Sequence, residues 1–323
     1  MKLAAIKPVS RVLLRELGIS ASLLLGVSVV VFAILYLAPG DPLNVLLGGQ
    51  LPRSELALGM REALGVPQTW YGQYATWLGK VLQGNFGNSI RTGLPVLPEL
   101  ARVGVNTLYL TLGSLLLTLL IAVPIAVHAA AHGSTPGNTA ATIVAYILSA
   151  VPVFWFGYIV VYVFINQLKM FPLISGTATR QAHAWLYFLV PIFVLGVASG
   201  TLAEMIRHLR EELSRVLADD YIRTARAKGA AVWRHAFKEG FLIPVTEIMS
   251  AKMPFLLGGA VIVEQVFNWP GMGRMAWQAA QDRDFPVIMG IALVAAAFVR
   301  LGNLLQRVVF TAVNPRASKE QGP

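Results

Sequence analysis

The sequence has no cysteine and few charged residues. Without cysteine, the chain can form neither disulfides nor thiolate metal sites. Asp, Glu, Lys and Arg make up 13% of the 323 residues, whereas 56% are hydrophobic and fall in long blocks. A soluble globular domain carries a charged fraction of about 25%. These proportions exclude an ordinary soluble domain and indicate that the lipid bilayer is the main environment of the chain.

Long uncharged stretches predict membrane-spanning helices, because a helix needs about 20 apolar residues to cross the hydrocarbon core. Four stretches without Asp, Glu, Lys, Arg or His meet this length: 18–40, 103–127, 137–168 and 184–203. Two more apolar stretches contain charged residues: 245–267, with Glu247, Lys252 and Glu264, and 285–313, with Arg300 and Arg307. We therefore predict an all-α integral membrane protein with six transmembrane helices.

The distribution of Lys and Arg predicts the orientation. The uncharged run of the first span is 23 residues, longer than the apolar region of a signal peptide, so we expect this helix to be retained. Of the 26 Lys and Arg residues, 15 lie before the first span, between 205 and 247, or from 307 onward. The positive-inside rule then places both termini in the cytoplasm of a multi-pass inner (plasma) membrane protein. Contact with anionic lipid headgroups accounts for the net charge of +10 without nucleic acid.

These spans divide the chain into segments. We predict a cytoplasmic N-terminal segment (1–17), a first helix (18–40), an external loop domain (41–102), a five-helix core (103–313) and a cytoplasmic tail (314–323). The external loop contains five aromatic residues, which we expect to form a small core of its own rather than a ligand cage: Trp70, Tyr71, Tyr74, Trp77 and Phe86.

The cytoplasmic loop at 205–244 has helical character. No Pro or Gly occurs from Met205 to Lys228, and the apolar residues recur at helical spacing, so we expect one helix to continue out of the fourth span. Gly229 is a plausible stop. A second short helix is predicted at 230–239, and Gly240 is expected to separate it from the fifth span. One interpretation is that this segment is a solvated amphipathic loop. A second is that another protein docks on it, and the small residues around Gly229 favour this second interpretation because they allow close approach.

Several motifs resemble one family of transporters. Arg223-Thr224-Ala225 followed by Gly229 and by Ile243-Pro244 looks like the EAA loop of importer-type ABC permeases, and 220–229 is close to its form in the dipeptide/oligopeptide/nickel permease family. Further blocks resemble that family along nearly the whole chain: Ala38-Pro39-Gly40-Asp41-Pro42, Leu64-Gly65-Val66-Pro67, 84–89, Ser149-x-x-Pro152, Glu264-x-x-Phe267-x-Trp269-Pro270-Gly271 and Val313-Asn314-Pro315-Arg316.

The resemblance implies a type I ABC importer permease fold and a function. The chain is expected to form half of a translocation pore for di- or oligopeptides, as the B-type subunit of a heterodimer with a second homologous permease. Two ABC ATPase subunits and an extracytoplasmic substrate-binding protein are the other implied partners, besides membrane lipids. Nickel, glutathione and opine-like molecules are the alternative solutes in the family.

The chain itself is not expected to be an enzyme. It contains no Gly-x4-Gly-Lys-Ser/Thr phosphate-binding motif, so ATP and Mg are expected in the partner subunits and no cofactor in this chain. An ion-coupled secondary transporter is a more remote alternative, and it leaves the basic cytoplasmic loop unexplained. A membrane enzyme would need convergent catalytic groups. We find no such cluster in the sequence.

The family resemblance also implies where the ATPase docks. By analogy, 230–237 is the coupling helix and Gly229 its hinge, although Pro244 follows Gly229 by only 15 positions, an interval shorter than in similar peptide permeases. The predicted docking residues are Asp220, Tyr221, Arg223, Thr224, Ala225, Arg226, Ala227, Lys228, Gly229, Ala230, Ala231, Val232, Trp233 and Arg234.

Ionisable residues and prolines within spans are candidates for the pore or gate, since such residues usually face a cavity or a partner. We select Lys252, Glu264, Pro254 and Pro152. Lys252 and Glu264 are about 18 Å apart along a helix, too far to pair with each other. Arg300 is expected to pair with the second permease.

His128 and His132 have the i, i+4 spacing of a metal pair. With no carboxylate nearby in the sequence, we interpret them as headgroup-level polar residues and predict no metal site.

Overall fold

The computed structural model describes residues 3–37, 69–133, 135–167 and 184–313, which are almost entirely helical. These described residues form twelve α-helices: α1 Leu3–Leu37, α2 Trp70–Leu82, α3 Val96–His132, α4 Pro136–Ala150, α5 Val153–Tyr162, α6 Ala184–Ala198, α7 Thr201–Ala218, α8 Asp220–Ala227, α9 Val232–Phe237, α10 Ile243–Val266, α11 Met272–Asp282 and α12 Phe285–Val313. Two π-helical segments, Val163–Gln167 and Lys238–Leu242, follow α5 and α9. The predicted motifs at 38–67 and 314–316 lie outside the described residues, as does the tail 314–323.

By length and composition, the described residues contain three helices that could span a bilayer, or six spans if each bent pair is counted as one, which is the predicted number. Three single helices are long and apolar enough to span a bilayer: Leu14–Leu37, Val96–His132 and Phe285–Thr311. Three more candidates are bent pairs: Pro136–Ala150 with Val153–Tyr162 at 98°, Leu186–Ala198 with Thr201–Ala218 at 56°, and Glu239–Lys252 with Leu257–Val266 at 61°. Counted in this way, the third, fourth and fifth spans are broken helices.

Two of these breaks have a local cause in the sequence. Pro152 disfavours the helical conformation at Val151, whose backbone is extended, and α5 begins immediately afterwards. Gly200 adopts φ +76°, a left-handed conformation that favours glycine, between α6 and α7. Pro254 lies in the third bend, between Lys252 and Leu257.

The chain forms two compact units. One comprises the described parts of Gly18–Asn106 and Pro270–Phe298. Its core is formed by Val96, Leu100, Met272 and Val287, with Phe86 packed against it. Asp284, 3% exposed, accepts hydrogen bonds from the Ser89 hydroxyl and from the backbone N–H groups of residues 90 and 91, and so fixes the loop before α3.

Two of the external aromatic residues pack against the first helix as well as against each other. Tyr74 and Trp77 lie on α2 and pack against Phe32 of α1, with ring centroids 5.4 Å and 6.3 Å from it. The Tyr74 and Ser28 hydroxyls are 2.8 Å apart. No residue of the short helix α2 is fully buried.

The second unit comprises the described parts of Met1–Leu17, Thr107–Trp269 and Val299–Pro323. Buried residues of α3, α6, α7 and α10 form its core, among them Leu110, Leu195, Met205, Leu209 and Val263. Trp269, 2% exposed, stacks on Tyr187 at 5.5 Å.

Glu16 connects the N-terminal part of this unit to its C-terminal part. Its side chain is 1% exposed, and its carboxylate lies 2.9 Å from the Arg300 Nη2 atom and 3.1 Å from the Arg307 Nε atom. The expected pairing of Arg300 with a second permease is therefore wrong. A guanidinium among apolar helices needs a counter-charge, and this chain supplies one itself.

The helix predicted to run unbroken from the fourth span to Lys228 is divided twice, at Gly200 and at Asp219. The Asp219 backbone is extended, at ψ 148°, and its carbonyl accepts hydrogen bonds from the N–H groups of Ile222 and Arg223. Asp219 thereby ends α7 and starts α8. The short helix predicted at 230–239 is also shorter than expected and spans Val232–Phe237.

Gly240 was predicted to separate that helix from the fifth span, and this prediction is wrong. It lies within the π-helical segment Lys238–Leu242, which leads directly into α10. Likewise, α3 begins at Val96, before the end of the external loop predicted at 102.

Candidate functional site

The loop that was predicted to be cytoplasmic folds into a small helical module, formed by α7, α8, α9 and the π-helical segment Lys238–Leu242. Val216, Ile222 and Ala236, one from each α-helix, are fully buried together, with Leu217 and Val232 packed against them. Burying apolar side chains is the main stabilising contribution in such a cluster. The predicted docking segment is therefore attached to α7 as a packed element.

Gly229 ends α8 in the way expected of a helix stop. Its φ is +69°, its N–H donates to the Arg226 carbonyl, and the Ala230 N–H donates to the Ala225 carbonyl at 2.9 Å. These two bonds form a Schellman motif, in which glycine is favoured because left-handed backbone carries no Cβ penalty. The chain turns sharply here between α8 and α9.

Gly240 allows the π-helical segment to approach α7 closely. A Cβ atom at this position would lie 3.1 Å from Leu213 Cδ2 and 3.4 Å from Val216 Cβ. Any larger side chain would therefore separate the segment from α7. The glycine that the sequence suggested as a break serves close packing instead.

The module exposes both apolar and basic side chains. Trp233 and Phe237, four residues apart on α9, are 46% and 53% exposed. The side chains of Arg226 and Lys228, which precede α9 in the chain, are exposed too. Two large exposed apolar side chains on one helix face are typical of a surface that another protein covers.

Tyr221 connects the beginning and the end of the loop. Its hydroxyl donates to Glu239 Oε2 at 3.3 Å. Burial, and then the charge of Glu239, raise the pKa of Tyr221 above its ordinary value. The hydroxyl therefore stays protonated at neutral pH and remains a donor.

The predicted docking residues do not all face outward. Asp220, Tyr221, Arg223, Thr224, Ala227, Gly229, Ala231 and Trp233 are exposed, along with Arg226 and Lys228. Ala225, 6% exposed, is buried, and Ala230 and Val232 are half-buried. The prediction that Ala225 contacts a partner is therefore wrong, because its methyl group faces the interior. The Arg234 side chain lies outside the described residues.

Lys252, a predicted pore residue, pairs with Glu204. Its ammonium group contacts Glu204 Oε2, and the two side chains are 16% and 52% exposed. Glu204 lies in the first turn of α7, just after the Gly200 break, and Lys252 lies just before the bend in α10. The sequence analysis missed Glu204. Its position directly after an uncharged stretch was the available signal.

The other predicted pore or gate residues are Glu264, which is held by a buried hydrogen bond, and two prolines, which lie at helix bends. Glu264 is fully buried, and Thr107 Oγ1 donates to its Oε1 atom at 2.7 Å. Pro152 and Pro254 lie at bends of 98° and 61°. The His128 and His132 rings are 4.3 Å apart, and the described residues contain no group of three or more His, Asp or Glu placed to hold a metal.

Comparison with known proteins identifies the family. Residues 122–319 match the model described as binding-protein-dependent transport system inner membrane component, and residues 9–98 match the model for the N-terminal part of that component. The chain belongs to this family. It is a permease subunit of an ABC importer and a multi-pass protein of the inner membrane.

The permease is similar to curated relatives along nearly its whole length. It is 36% identical to the oligopeptide transport system permease protein AppB of Bacillus subtilis (strain 168), over 94% of this chain and 98% of the relative. It is 34% identical to the glutathione transport system permease protein GsiC of Escherichia coli (strain K12), and equally to GsiC of Salmonella typhimurium, over 94% of this chain and 97% of each relative.

Gly240→Val tests the packing of the permease loop. The branched side chain overlaps Leu213 and Val216, so we expect local destabilisation of about 1–3 kcal/mol. In hydrogen-exchange mass spectrometry, amides of α8 and α9 should exchange about tenfold faster or more. Gly258→Val is the matched control, since a Cβ at 258 meets nothing within 4 Å. Equal exchange in both variants would contradict the role of Gly240.

Proposed function

We propose that the permease forms half of a pore that imports di- or oligopeptides delivered by an external binding protein. The other half is a second, homologous permease. The names of the relatives support this substrate class, since glutathione is itself a small peptide. Glutathione is accordingly the second candidate solute. Nothing in the described residues or in the relatives' names favours nickel or an opine-like solute.

The observation that carries the proposal is the exposed face of the cytoplasmic module. Trp233 and Phe237 present apolar surface on a short helix that a packed cluster and a Schellman turn hold in place. A cleft on a separate ATPase subunit would cover these side chains, while Arg226 and Lys228 would contact acidic groups at its rim. Hydrolysis, with ATP and Mg, takes place in two such ATPase subunits, and this chain binds no cofactor.

Lys252 and Glu204 extend this proposal to a mechanism. Their ion pair joins α7 to α10 at the base of the module, so the residues from Glu204 to Lys252 form one closed element. The bends at Gly200 and Pro254 lie immediately beyond the two ends of this element. Movement of an ATPase would thus rotate the element as a body, and the two bends would pass the rotation to the membrane spans.

The remaining gate candidates act at other bends and contacts. Pro152 supplies a third pivot, between α4 and α5, while Glu264 holds α10 against α3 through Thr107. This mechanism places both termini and the module in the cytoplasm, in accordance with the distribution of Lys and Arg.

Transport in proteoliposomes tests the function directly. The permease, co-expressed with its genomic neighbours, should retain a subunit that carries the ATP-binding motif. With the binding protein outside and ATP inside, labelled dipeptides or oligopeptides should accumulate, and unlabelled peptide should compete. Uptake without ATP would contradict the ABC mechanism, and uptake of glutathione but not of other peptides would select the second candidate.

Gly229→Asp tests the docking surface. Asn and Asp both tolerate left-handed backbone, so Gly229→Asn is a control that retains the shape without the charge. The aspartate adds a negative charge beside Arg226 and Lys228, and we expect peptide uptake to fall at least tenfold while the protein still inserts. The asparagine variant should retain most uptake. Wild-type uptake by Gly229→Asp would refute the docking role of this turn.

Lys252→Met and Glu204→Gln test the ion pair at the base of the module. Each removes one partner, so rotation of the module should no longer reach both bends. We expect uptake per ATP hydrolysed to fall about tenfold in either variant, with the ATPase still bound. The exchanged pair, Glu204→Lys with Lys252→Glu, should recover part of the loss, as expected of coupled residues. Normal coupling in both single variants would rule the mechanism out.

A further inference from the structure

A cavity of about 460 Å³ lies between α4 and α7, and no residue of α8 or α9 lines it. Thr142 and Tyr146 of α4 line one side. Arg207, Arg210 and Ser214 of α7 line the other, three and four residues apart and therefore on one helix face. The opposite face of α7 carries the buried residues Leu209, Leu213 and Val216. The cavity thus lies mainly on the polar side of α7, with the core residue Ile206 at its edge.

The lining of this cavity is suited to an anion with several oxygen atoms. Arg207 and Arg210 supply two guanidinium groups, and the hydroxyl groups of Ser214 and Tyr146 add polar contacts. Arginine binds phosphate oxygens through parallel N–H donors. The acidic residue of the cavity, Glu211, lies 3.4 Å from Arg207 Nη1 with both side chains more than half exposed, and such a pair contributes little.

Apolar surface continues from the cavity along α4. Ile143 and Ile147, either side of Tyr146, are 53% and 60% exposed, and Tyr146 is 47% exposed. In a helix of a membrane span, this face is suited to acyl chains. Thr142 lies about 9 Å along α4 from its first residue. From such a depth, an arginine side chain is long enough to keep its charged end at the headgroup level.

We propose that the cavity binds the phosphate of an anionic phospholipid, with its acyl chains against Ile143 and Ile147. The occupant is a lipid rather than a free anion because the basic groups and the exposed apolar face adjoin each other. Charge complementarity supports the choice, since the proposed cytoplasmic leaflet carries anionic headgroups and this chain has a net charge of +10. The site does not depend on which solute the permease transports.

Native mass spectrometry of the purified complex tests this site, with phosphatidylglycerol and phosphatidylcholine as probes. The wild-type complex should retain phosphatidylglycerol preferentially. Each basic residue near an anionic lipid strengthens binding about fivefold, so Arg207→Gln with Arg210→Gln should weaken phosphatidylglycerol binding about 25-fold. The charge-conserving pair Arg207→Lys with Arg210→Lys should retain most of the binding, which separates loss of charge from a folding defect.

Arg215→Gln is the matched control. Arg215 lies on the same helix, pairs with Glu212 at 2.6 Å and does not line the cavity, so its loss should leave lipid binding unchanged. Equal lipid loss in the control and in the double glutamine variant would overturn the proposal, as would wild-type lipid binding by the double variant or equal retention of phosphatidylcholine.

Two further measurements separate the lipid from other occupants. If excess inorganic phosphate displaces the lipid regardless of its chains, the site takes a free anion and the proposal is wrong. A photoreactive benzoylphenylalanine in place of Ile147 should crosslink to lipid in the membrane-embedded complex. Crosslinking to the second permease alone would show that protein covers this face, and would also overturn the proposal. Neither measurement uses solute uptake, so a wrong substrate assignment would not change the result.

Discussion

Charged side chains among apolar helices need partners within the chain, and much of this structure depends on that constraint. Lipid offers no hydrogen bonds, so an unpaired charge at membrane depth is costly. Glu16 meets Arg300 and Arg307, Lys252 meets Glu204, and Glu264 accepts a hydrogen bond from Thr107. Each contact joins segments distant in sequence. These contacts therefore add specific connections to the apolar packing between helices.

In the proposed mechanism, the broken spans allow the permease to move. A continuous helix transmits a push along its axis, whereas a bent pair can change its angle without losing the packing of either half. The bends in spans four and five lie next to the residues of the Lys252–Glu204 pair. A rigid element between two pivots is the arrangement expected of a part that converts movement in a partner into movement of membrane helices.

Different parts of α7 make three different kinds of contact. Two of them lie on different sides of the helix, and the third lies at its end. Apolar residues at helical spacing face the core, while Arg207 and Arg210 face the cavity on another side. The last turns of α7 hold α8, α9 and the π-helical segment through Val216 and Gly240. A membrane lipid could therefore contact α7 itself, whereas an ATPase would act on α7 through the helices packed on its last turns.

The sequence by itself determined the helical class, the six candidate spans and the family, because apolar run length and the EAA-like motif are local properties. It also predicted the stop at Gly229, where a helix end requires left-handed backbone. It could not reveal the break at Asp219, the burial of Ala225 or the close packing of Gly240, since these depend on which surface each residue meets. Nor could it assign Lys252 to Glu204 or Arg300 to Glu16, which lie 48 and 284 positions apart. Only the tertiary structure decided those pairs, because a buried charge selects its partner by proximity in space.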